Sequence, residues 1–255
     1  MDFDLKGRVA LVTGSGRGIG YAEAAALAAE GATVVVNDLD ASNAHAACER
    51  LRADGATVTS FVGDVTNEDF VASMVEGVVA RFGRIDVLVN NAGPAVRPPI
   101  SVEEMPLADW QRMLTGHMTS TFLCSRAVIG HMRRAGFGRI VNTSSMNFTG
   151  GGRAGVAHYA AAKAGVAGFT ATLAKEVGAH GVTCNAIAPG YVDTELIANL
   201  TPAMRELLNR QNPIGRMCKV EEVAAAVTYL CSSQAGFING ELVCLDGGRR
   251  DFFWG

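Results

Sequence analysis

The fold is decided by Arg8-Val9-Ala10-Leu11-Val12-Thr13-Gly14-Ser15-Gly16-Arg17-Gly18-Ile19-Gly20. An apolar, β-branched run enters a glycine-rich turn. The Ala-rich stretch beyond it, from Gly18 to about Glu30, reads as helix. Glycine tolerates φ > 0 and lets backbone approach a pyrophosphate closely. The following helix N-terminus turns free N–H groups and a positive dipole end on such an anion. The spacing is T-G-x-x-x-G-x-G, since Ile19 breaks G-x-G-x-x-G. Strand, turn and helix in that order give a glycine turn its meaning.

Working outward, the alternation continues. Thr33–Asp38, Thr57–Val62, Ile85–Asn90, Arg139–Ser144, Val182–Ala188 and Glu241–Leu245 read as strands. Helical stretches are expected near Ala41–Asp54, Asn67–Phe82, Glu103–Ala135, Gly155–His180, Glu195–Arg210 and Val220–Cys231. Near-continuous apolar strands are buried on both faces. Right-handed crossovers then lay helices on both sides of a parallel sheet. The expectation is an α/β chain: a single-domain, doubly wound (Rossmann) fold over residues 1–255, with a seven-stranded parallel sheet.

Composition excludes several classes. The chain has 255 residues, 49 % hydrophobic and 18 % charged, with a net charge of −3. High apolar content with little net charge excludes intrinsic disorder. With no basic run, charge-driven nucleic-acid binding is not expected. No uncharged apolar stretch is long enough for a membrane helix. The N-terminus carries acids and no signal-peptide pattern. Cys48, Cys124, Cys184, Cys218, Cys231 and Cys244 form no Cys-x-x-Cys pair, so no metal site is expected. Reduced thiols in a cytoplasmic protein are the simplest expectation.

Eighteen residues beyond Gly20, at the end of the second strand, stands Asp38. A carboxylate there accepts from an adenosine ribose 2′-OH and repels a 2′-phosphate, which favours NAD over NADP. Arg17 pulls the other way, being able to meet a 2′-phosphate. Tyr159 and Lys163 share one face of a helix at i, i+4. An ammonium beside a phenol stabilises the phenolate and makes the pair a general acid/base near neutrality. Ser145 stands 14 residues before Tyr159, at a strand C-terminus, where ligands of open α/β sheets bind. Gly-x-Ser-x-Gly is absent around it, which argues against a nucleophilic serine.

Over Arg8 to Gly248 the chain resembles the short-chain dehydrogenases/reductases. The matching motifs are Thr13–Gly20, Asp64-Val65, Asn90-Asn91-Ala92-Gly93, Ser145, Tyr159-x-x-x-Lys163, Pro189-Gly190 with Thr194, and Asp246-Gly247-Gly248. The resemblance implies that Gly14, Gly18, Ile19 and Gly20 line the pyrophosphate and nearby ribose, and that Asp38 holds the adenosine ribose. Asp64 and Val65 would contact adenine. Asn91 and Ala92 would flank the nicotinamide ribose, which Lys163 would also bind. Val192 and Thr194 would meet the nicotinamide amide. Tyr159 would be the acid/base, with Ser145 orienting the reacting oxygen. The family's common tetramers imply a homo-oligomer, and the small-residue run Ala160–Gly168 suits close helix packing.

One position departs from the family pattern. His117 in Trp110–Phe122 stands where the family carries an Asn that holds a helix irregularity and a water leading from Lys163 to solvent. An imidazole there serves as a proton relay or plugs the channel. Substrate specificity is expected in loops 94–102, 146–157 and 191–218. Met146, Phe148 and Tyr191 would be apolar walls, and Arg97 and Arg153 either anion contacts or solvated arginines. The aromatic tail Phe252-Phe253-Trp254 is expected to pack on a neighbouring subunit or cap its pocket. The reading that results is an NAD-dependent oxidoreductase interconverting a secondary alcohol and its ketone. The alternatives are an NADPH-dependent 3-oxoacyl-thioester reductase, and a cofactor-binding partner subunit without turnover.

Overall fold

A computed structural model describes residues 3–96, 98–149, 153–197 and 200–248, and in them strand and helix alternate from the start. The first half holds β1 (Val9–Thr13), α1 (Gly18–Ala29), β2 (Thr33–Asp38), α2 (Ala41–Ala53), β3 (Val58–Val62), α3 (Glu68–Phe82) and β4 (Val87–Asn90). The second half holds α4 (Leu107–Leu114), α5 (Ser120–Ala135), β5 (Gly138–Thr143), α6 (Ala157–Val177) and β6 (Val182–Pro189). It ends with β7 (Val192–Asp193), α7 (Pro202–Arg210), β8 (Cys218–Lys219), α8 (Val220–Cys231) and β9 (Leu242–Leu245). The seven-stranded sheet runs β3-β2-β1-β4-β5-β6-β9, every pair parallel.

Alternate residues of each strand feed two cores. Ala10, Val12, Val87, Val89 and Val141 pack under Ala24 and Leu27 of α1, Ala47 and Leu51 of α2, and Val223 and Val227 of α8. Leu11, Leu88, Ile140 and Cys184 pack under Met74 and Val78 of α3, Leu123 and Val128 of α5, and Leu173 of α6. This two-sided burial is why the strands read as unbroken apolar runs. Strand order reverses between β1 and β4, and the C-terminal strand ends open there into the crevice where doubly wound folds bind ligands.

Three expected helices differ in detail. The Glu103–Ala135 stretch begins only at Leu107, with Pro106 as N-cap, and a π turn at Thr115–Thr119 separates α4 from α5. The Gly155–His180 stretch starts at Ala157 and closes in a 3-10 turn at Gly178–His180. The Glu195–Arg210 stretch splits into a 3-10 turn at Glu195–Ile197 and α7, which Thr201 caps and Pro202 starts. The β7–β8 pair, joining the segment after β6 to the start of α8, was not expected from sequence. Arg97, Gly150–Gly152 and the tail from Arg249 lie outside the described residues. Among the described residues, no helix is long and apolar enough to cross a membrane.

The opposite, N-terminal edge of the sheet is braced by Asp86, which is 1 % exposed. Its Oδ2 accepts from Val9 N at 2.9 Å and Arg84 Nε at 2.7 Å, and its Oδ1 accepts from Arg8 Nη1 at 3.3 Å. Its backbone links β1 and β5 through Asp86 N to Val9 O and Arg139 N to Asp86 O. Removing a buried carboxylate leaves the Val9 N–H and the two guanidinium groups short of an acceptor. Asp86→Ala is expected to cost about 3 kcal/mol in urea unfolding. The arrangement of the strand C-termini at a permissive temperature should survive, because the edge is remote from them.

Candidate active site

The glycine turn between β1 and α1 is closed by steric necessity. Gly14 and Gly18 have φ of +61° and +58°. A Cβ on Gly14 would sit 2.9 Å from Ala92 Cα, and one on Gly20 2.4 Å from Gly14 O. Around Gly18, by contrast, nothing lies within 4 Å of a built Cβ, so the turn is open there. Asp40 caps α2 and Asn67 caps α3 with side-chain hydrogen bonds, but α1 has no side-chain cap and no acid in its first turn. Its N-terminal N–H groups and dipole are left for an anion. This uncapped end and its glycine cradle fit a dinucleotide pyrophosphate.

Asp38, at the end of β2, is fixed by this turn. Its Oδ2 accepts from Gly16 N at 2.9 Å and its Oδ1 from Asp40 N at 3.0 Å. A Cβ on Gly16 would lie 2.6 Å from Asp38 Oδ2, so the glycine is what lets the carboxylate in. Arg17 is exposed at the α1 N-cap, and its charge acts on Asp40, whose carboxyl is lowered mainly by hydrogen bonds from Ser42 and Asn43. After β3, Asp64 Oδ1 accepts from Thr66 N at 2.8 Å, and Val65 is buried beside it. Ile19 packs partly buried against the first core.

The loop after β4 is tied to the glycine turn. Thr13 Oγ1 accepts from Asn91 N and from Ala92 N, each at 3.1 Å. Asn91 Nδ2 donates back to Thr13 O at 3.1 Å and Gly14 O at 3.0 Å. Beneath, Asn90 Nδ2 donates to Asn142 Oδ1 at 2.8 Å, and Asn142 Nδ2 to Thr170 Oγ1 at 2.8 Å. This buried chain of amides joins β4, β5 and α6 and sets the height of α6 against the strand ends.

Ser145, Tyr159, Lys163 and His117 come together at this edge. Ser145 follows β5, and its hydroxyl acts on the Tyr159 phenol, favouring the phenolate. Ser145 Oγ also accepts from Asn147 N at 3.2 Å and Asn147 Nδ2 at 3.1 Å, so Asn147, which the motifs did not single out, orients it. Lys163 is 3 % exposed and donates to Thr143 O at 2.6 Å. Its Nζ lies 5.7 Å from the centre of the Tyr159 ring. Sequence reasoning expects this lysine to lower the phenol. Burial raises the phenol, with Ser145 acting the other way, and burial pushes Lys163 itself down to about 7.

His117 sits in the π turn, buried, with its ring edge-on to Tyr159 at 5.1 Å between centres. Its Nε2 lies 3.1 Å from Pro94 O. With a carbonyl as partner, Nε2 carries the proton and donates. Burial first, then the charge of Lys163, holds the imidazole well below its ordinary range, so the ring is neutral at pH 7. Its Nδ1 packs on Gly93, where a Cβ would come within 1.9 Å. The His117 carbonyl accepts from Thr121 Oγ1 at 2.7 Å and Ser120 Oγ at 3.3 Å.

The three substrate loops converge here. Ile100 N donates to Gly155 O at 2.9 Å, and Gly190 packs on Met146 Sδ. Met146 is buried, Phe148 and Tyr191 are half-buried, and Arg153 is exposed. Val102, Met204, Leu207 and Ile214 are exposed apolar side chains on these loops and α7. Val192 is buried, and Thr194 lines a cleft of about 580 Å³ between α1 and α8 together with Gly18, Tyr21 and Ala225. That cleft borders the glycine turn but is not lined by Ser145, Tyr159 or Lys163. Sequence reasoning did not single out Glu23 of α1, which is wholly buried and whose carboxyl burial raises to about 8. Its spacing with Gly20, Ala24 and Leu27, i, i+3, i+4 and i+7 on the inward stripe, was the available signal.

A family profile described as Enoyl-(Acyl carrier protein) reductase matches residues 14–250. Cis-4-hydroxycyclohexanecarboxylate dehydrogenase of Sinomonas cyclohexanicum is 42 % identical over 241 residues, covering 94 % of this chain and 96 % of its own. The chain belongs to the short-chain dehydrogenase/reductase family. This short-chain dehydrogenase/reductase is also 40 % identical to the 3-oxoacyl-[acyl-carrier-protein] reductase FabG of Pseudomonas aeruginosa, over 96 % of this chain and 98 % of that one. Among solved structures, a candidate gluconate dehydrogenase of Agrobacterium tumefaciens superposes with a TM-score of 0.91 at 35 % identity, covering 98 % of this chain and 99 % of that one. The family works with NAD(P), and its members similar to this chain are oxidoreductases.

Proposed function

We propose that this chain is an NAD-dependent oxidoreductase that interconverts a secondary alcohol and its ketone. The observation that carries the reading is the meeting of Ser145, Tyr159 and buried Lys163 at the sheet's switch point, with the Asp38 carboxylate held by Gly16 N–H. The uncapped α1 N-terminus with Gly14, Gly18, Ile19 and Gly20 would hold the pyrophosphate, Asp38 the adenosine ribose, and Asp64 and Val65 the adenine. Asn91, Ala92 and Lys163 would hold the second ribose, and Val192 and Thr194 the nicotinamide amide. The bound nicotinamide supplies the donor or acceptor of hydride.

The chain's own residues handle the proton. In oxidation, Tyr159 takes the proton of the substrate hydroxyl; in reduction, it returns one to the carbonyl oxygen. Ser145 donates a hydrogen bond to that oxygen and favours the charge developing on it. Lys163, as an ammonium, stabilises the Tyr159 phenolate. Neutral His117 donates its Nε2–H to the Pro94 carbonyl and so holds the loop that walls the pocket, and it carries no positive charge. The exposed apolar residues of loops 94–102 and 191–218 suit a substrate with an apolar body, as in the ring alcohol that the Sinomonas relative's name specifies.

A second reading, an NADPH-dependent 3-oxoacyl-thioester reductase, is favoured by the FabG relatives and by exposed Arg17 at the turn. We read residues 1–255 as one cytoplasmic unit that assembles as a homo-oligomer, with a tetramer favoured. Met118 and Phe122, exposed beside the small-residue run of α6, support the assembly. Paired fluorescence titrations with NADH and NADPH, then a panel of secondary alcohols and ketones, test the function. Tighter NADH binding with alcohol turnover is the expected result. Exclusive NADPH-dependent reduction of thioesters would replace it with the second reading, and tight binding without turnover would leave a partner subunit.

A further inference from the structure

Ser145 is held from both sides in the chain. Before it, Ser144 donates through N to Ile187 O at 2.7 Å and through Oγ to Lys163 O at 2.8 Å, which ties the end of β5 to β6 and α6. After it comes a 3-10 turn, Met146–Phe148, with Ser145 as its N-cap. Thr149 closes that turn, its N and Oγ1 donating to Met146 O at 3.0 Å and 3.1 Å. A serine hydroxyl has two acceptor positions and one hydrogen. An ordinary cap fills one acceptor position from a backbone N–H, here Asn147 N at 3.2 Å. The second position is filled as well, by Asn147 Nδ2 at 3.1 Å. Both acceptor positions of Ser145 are thus taken by one residue of the turn, and its hydrogen is what remains for the site.

We propose that Asn147 is a positioning residue of the active site, one that makes the Ser145 hydroxyl a donor only toward the reacting oxygen. This rests on the alcohol–ketone reading given above. A free hydroxyl can give a hydrogen bond or accept one. Accepting would favour a neutral alcohol and a neutral Tyr159 phenol. Giving favours the charge that develops on the substrate oxygen, and the phenolate. With two donors on its oxygen, Ser145 is committed to giving before any substrate arrives. The sense in which Ser145 acts on Tyr159, toward the phenolate, is that of a donor. Asparagine suits the task because its amide nitrogen only donates. A carboxylate of the same shape only accepts, and would draw the Ser145 hydrogen back into the turn.

Asn147→Asp keeps the shape of the side chain and reverses its sense, while Asn147→Leu removes the donor without adding a charge. For alcohol oxidation, kcat should fall by about 10–100-fold in Asn147→Asp and by about 3–10-fold in Asn147→Leu. KM should stay within about twofold, because Asn147 does not touch the substrate. Both losses should vanish in a Ser145→Ala background, since Asn147 acts through that oxygen. A second readout needs no substrate. The chain has four tyrosines, Tyr21, Tyr159, Tyr191 and Tyr229, so tyrosine labelled with ¹³C at Cζ yields a readable spectrum, with Tyr159 assigned by its loss in Tyr159→Phe. At pH 7 the Tyr159 resonance should shift in Asn147→Leu, and the same substitution should leave it in place when Ser145 is already alanine. Unchanged kcat in both variants overturns the proposal. So do losses or shifts of equal size in the Ser145→Ala background, which would make Asn147 a direct substrate contact or a brace of its loop. If the parent protein turns over no alcohol, the functional reading fails by itself, and the Tyr159 resonance decides whether Asn147 acts through Ser145.

Discussion

Tyr159→Phe will lower kcat for alcohol oxidation by about 10²–10⁴-fold while dinucleotide binding persists. The substitution removes one hydroxyl and nothing that shapes the fold, since the ring keeps its edge contact with His117. Ser145 retains Asn147 N and Nδ2 on its oxygen. What disappears is the only proton-transferring atom in the proposed reaction. The loss should therefore fall on kcat and kcat/KM together, the mark of an interaction made in the transition state. Stopped-flow hydride transfer and steady-state kinetics read it directly. Turnover equal to the parent protein would remove Tyr159 from the mechanism and with it the reading of Ser145 and Lys163.

Cofactor choice carries the second large effect. Asp38→Asn keeps an acceptor for Gly16 N–H and so preserves the turn, but removes the charge. A hydrogen bond from a ribose hydroxyl to an ionised acceptor is worth about 1.5–3 kcal/mol, or roughly 10–100-fold in Kd. The repulsion of a 2′-phosphate vanishes in the same variant. The ratio of NADPH to NADH affinity is expected to rise by about 10²–10³-fold. Exposed Arg17 is placed to benefit, so adding Arg17→Ala should reverse part of the NADPH gain. Equal ratios in the parent protein and Asp38→Asn would move discrimination elsewhere and favour the reductase reading.

Much of this architecture is written locally. The strand Thr33–Asp38 and the helix Val220–Cys231 have the limits that their residues suggest, because apolar runs with sharp polar edges leave little choice. The glycine turn was legible for a steric reason, and the structure supplies it in the contacts that a Cβ would make at Gly14, Gly16 and Gly20. The π turn at Thr115–Thr119 was not legible from the residues themselves, because one wider turn inside a long helical pattern leaves the surrounding periodicity intact. The β7–β8 pair, two residues on each strand, is too short for any alternation to register. The ionisation of the site was least legible of all. Spacing put Lys163 beside Tyr159, but not the burial that raises the phenol and lowers the lysine.

The reciprocal bonding of Thr13 and Asn91 fixes the thermodynamics of ligand entry. Two loops that close on a ligand usually lose backbone freedom as they do so, at about 1–2 kcal/mol per residue ordered. Here the turn after β1 and the loop after β4 are already fastened to each other through the Thr13 hydroxyl and the Asn91 amide. Docking therefore meets a surface shaped in advance, and little of the gross interaction energy is diverted into ordering the chain. Under the proposed function, differences in affinity among dinucleotides would then report contacts at the two ends of the ligand, proposed at Asp38 and Thr194, rather than different amounts of induced folding. In a calorimeter this preorganisation has a signature: a heat-capacity change set by the ligand surface covered, without the additional burial that a folding loop would contribute.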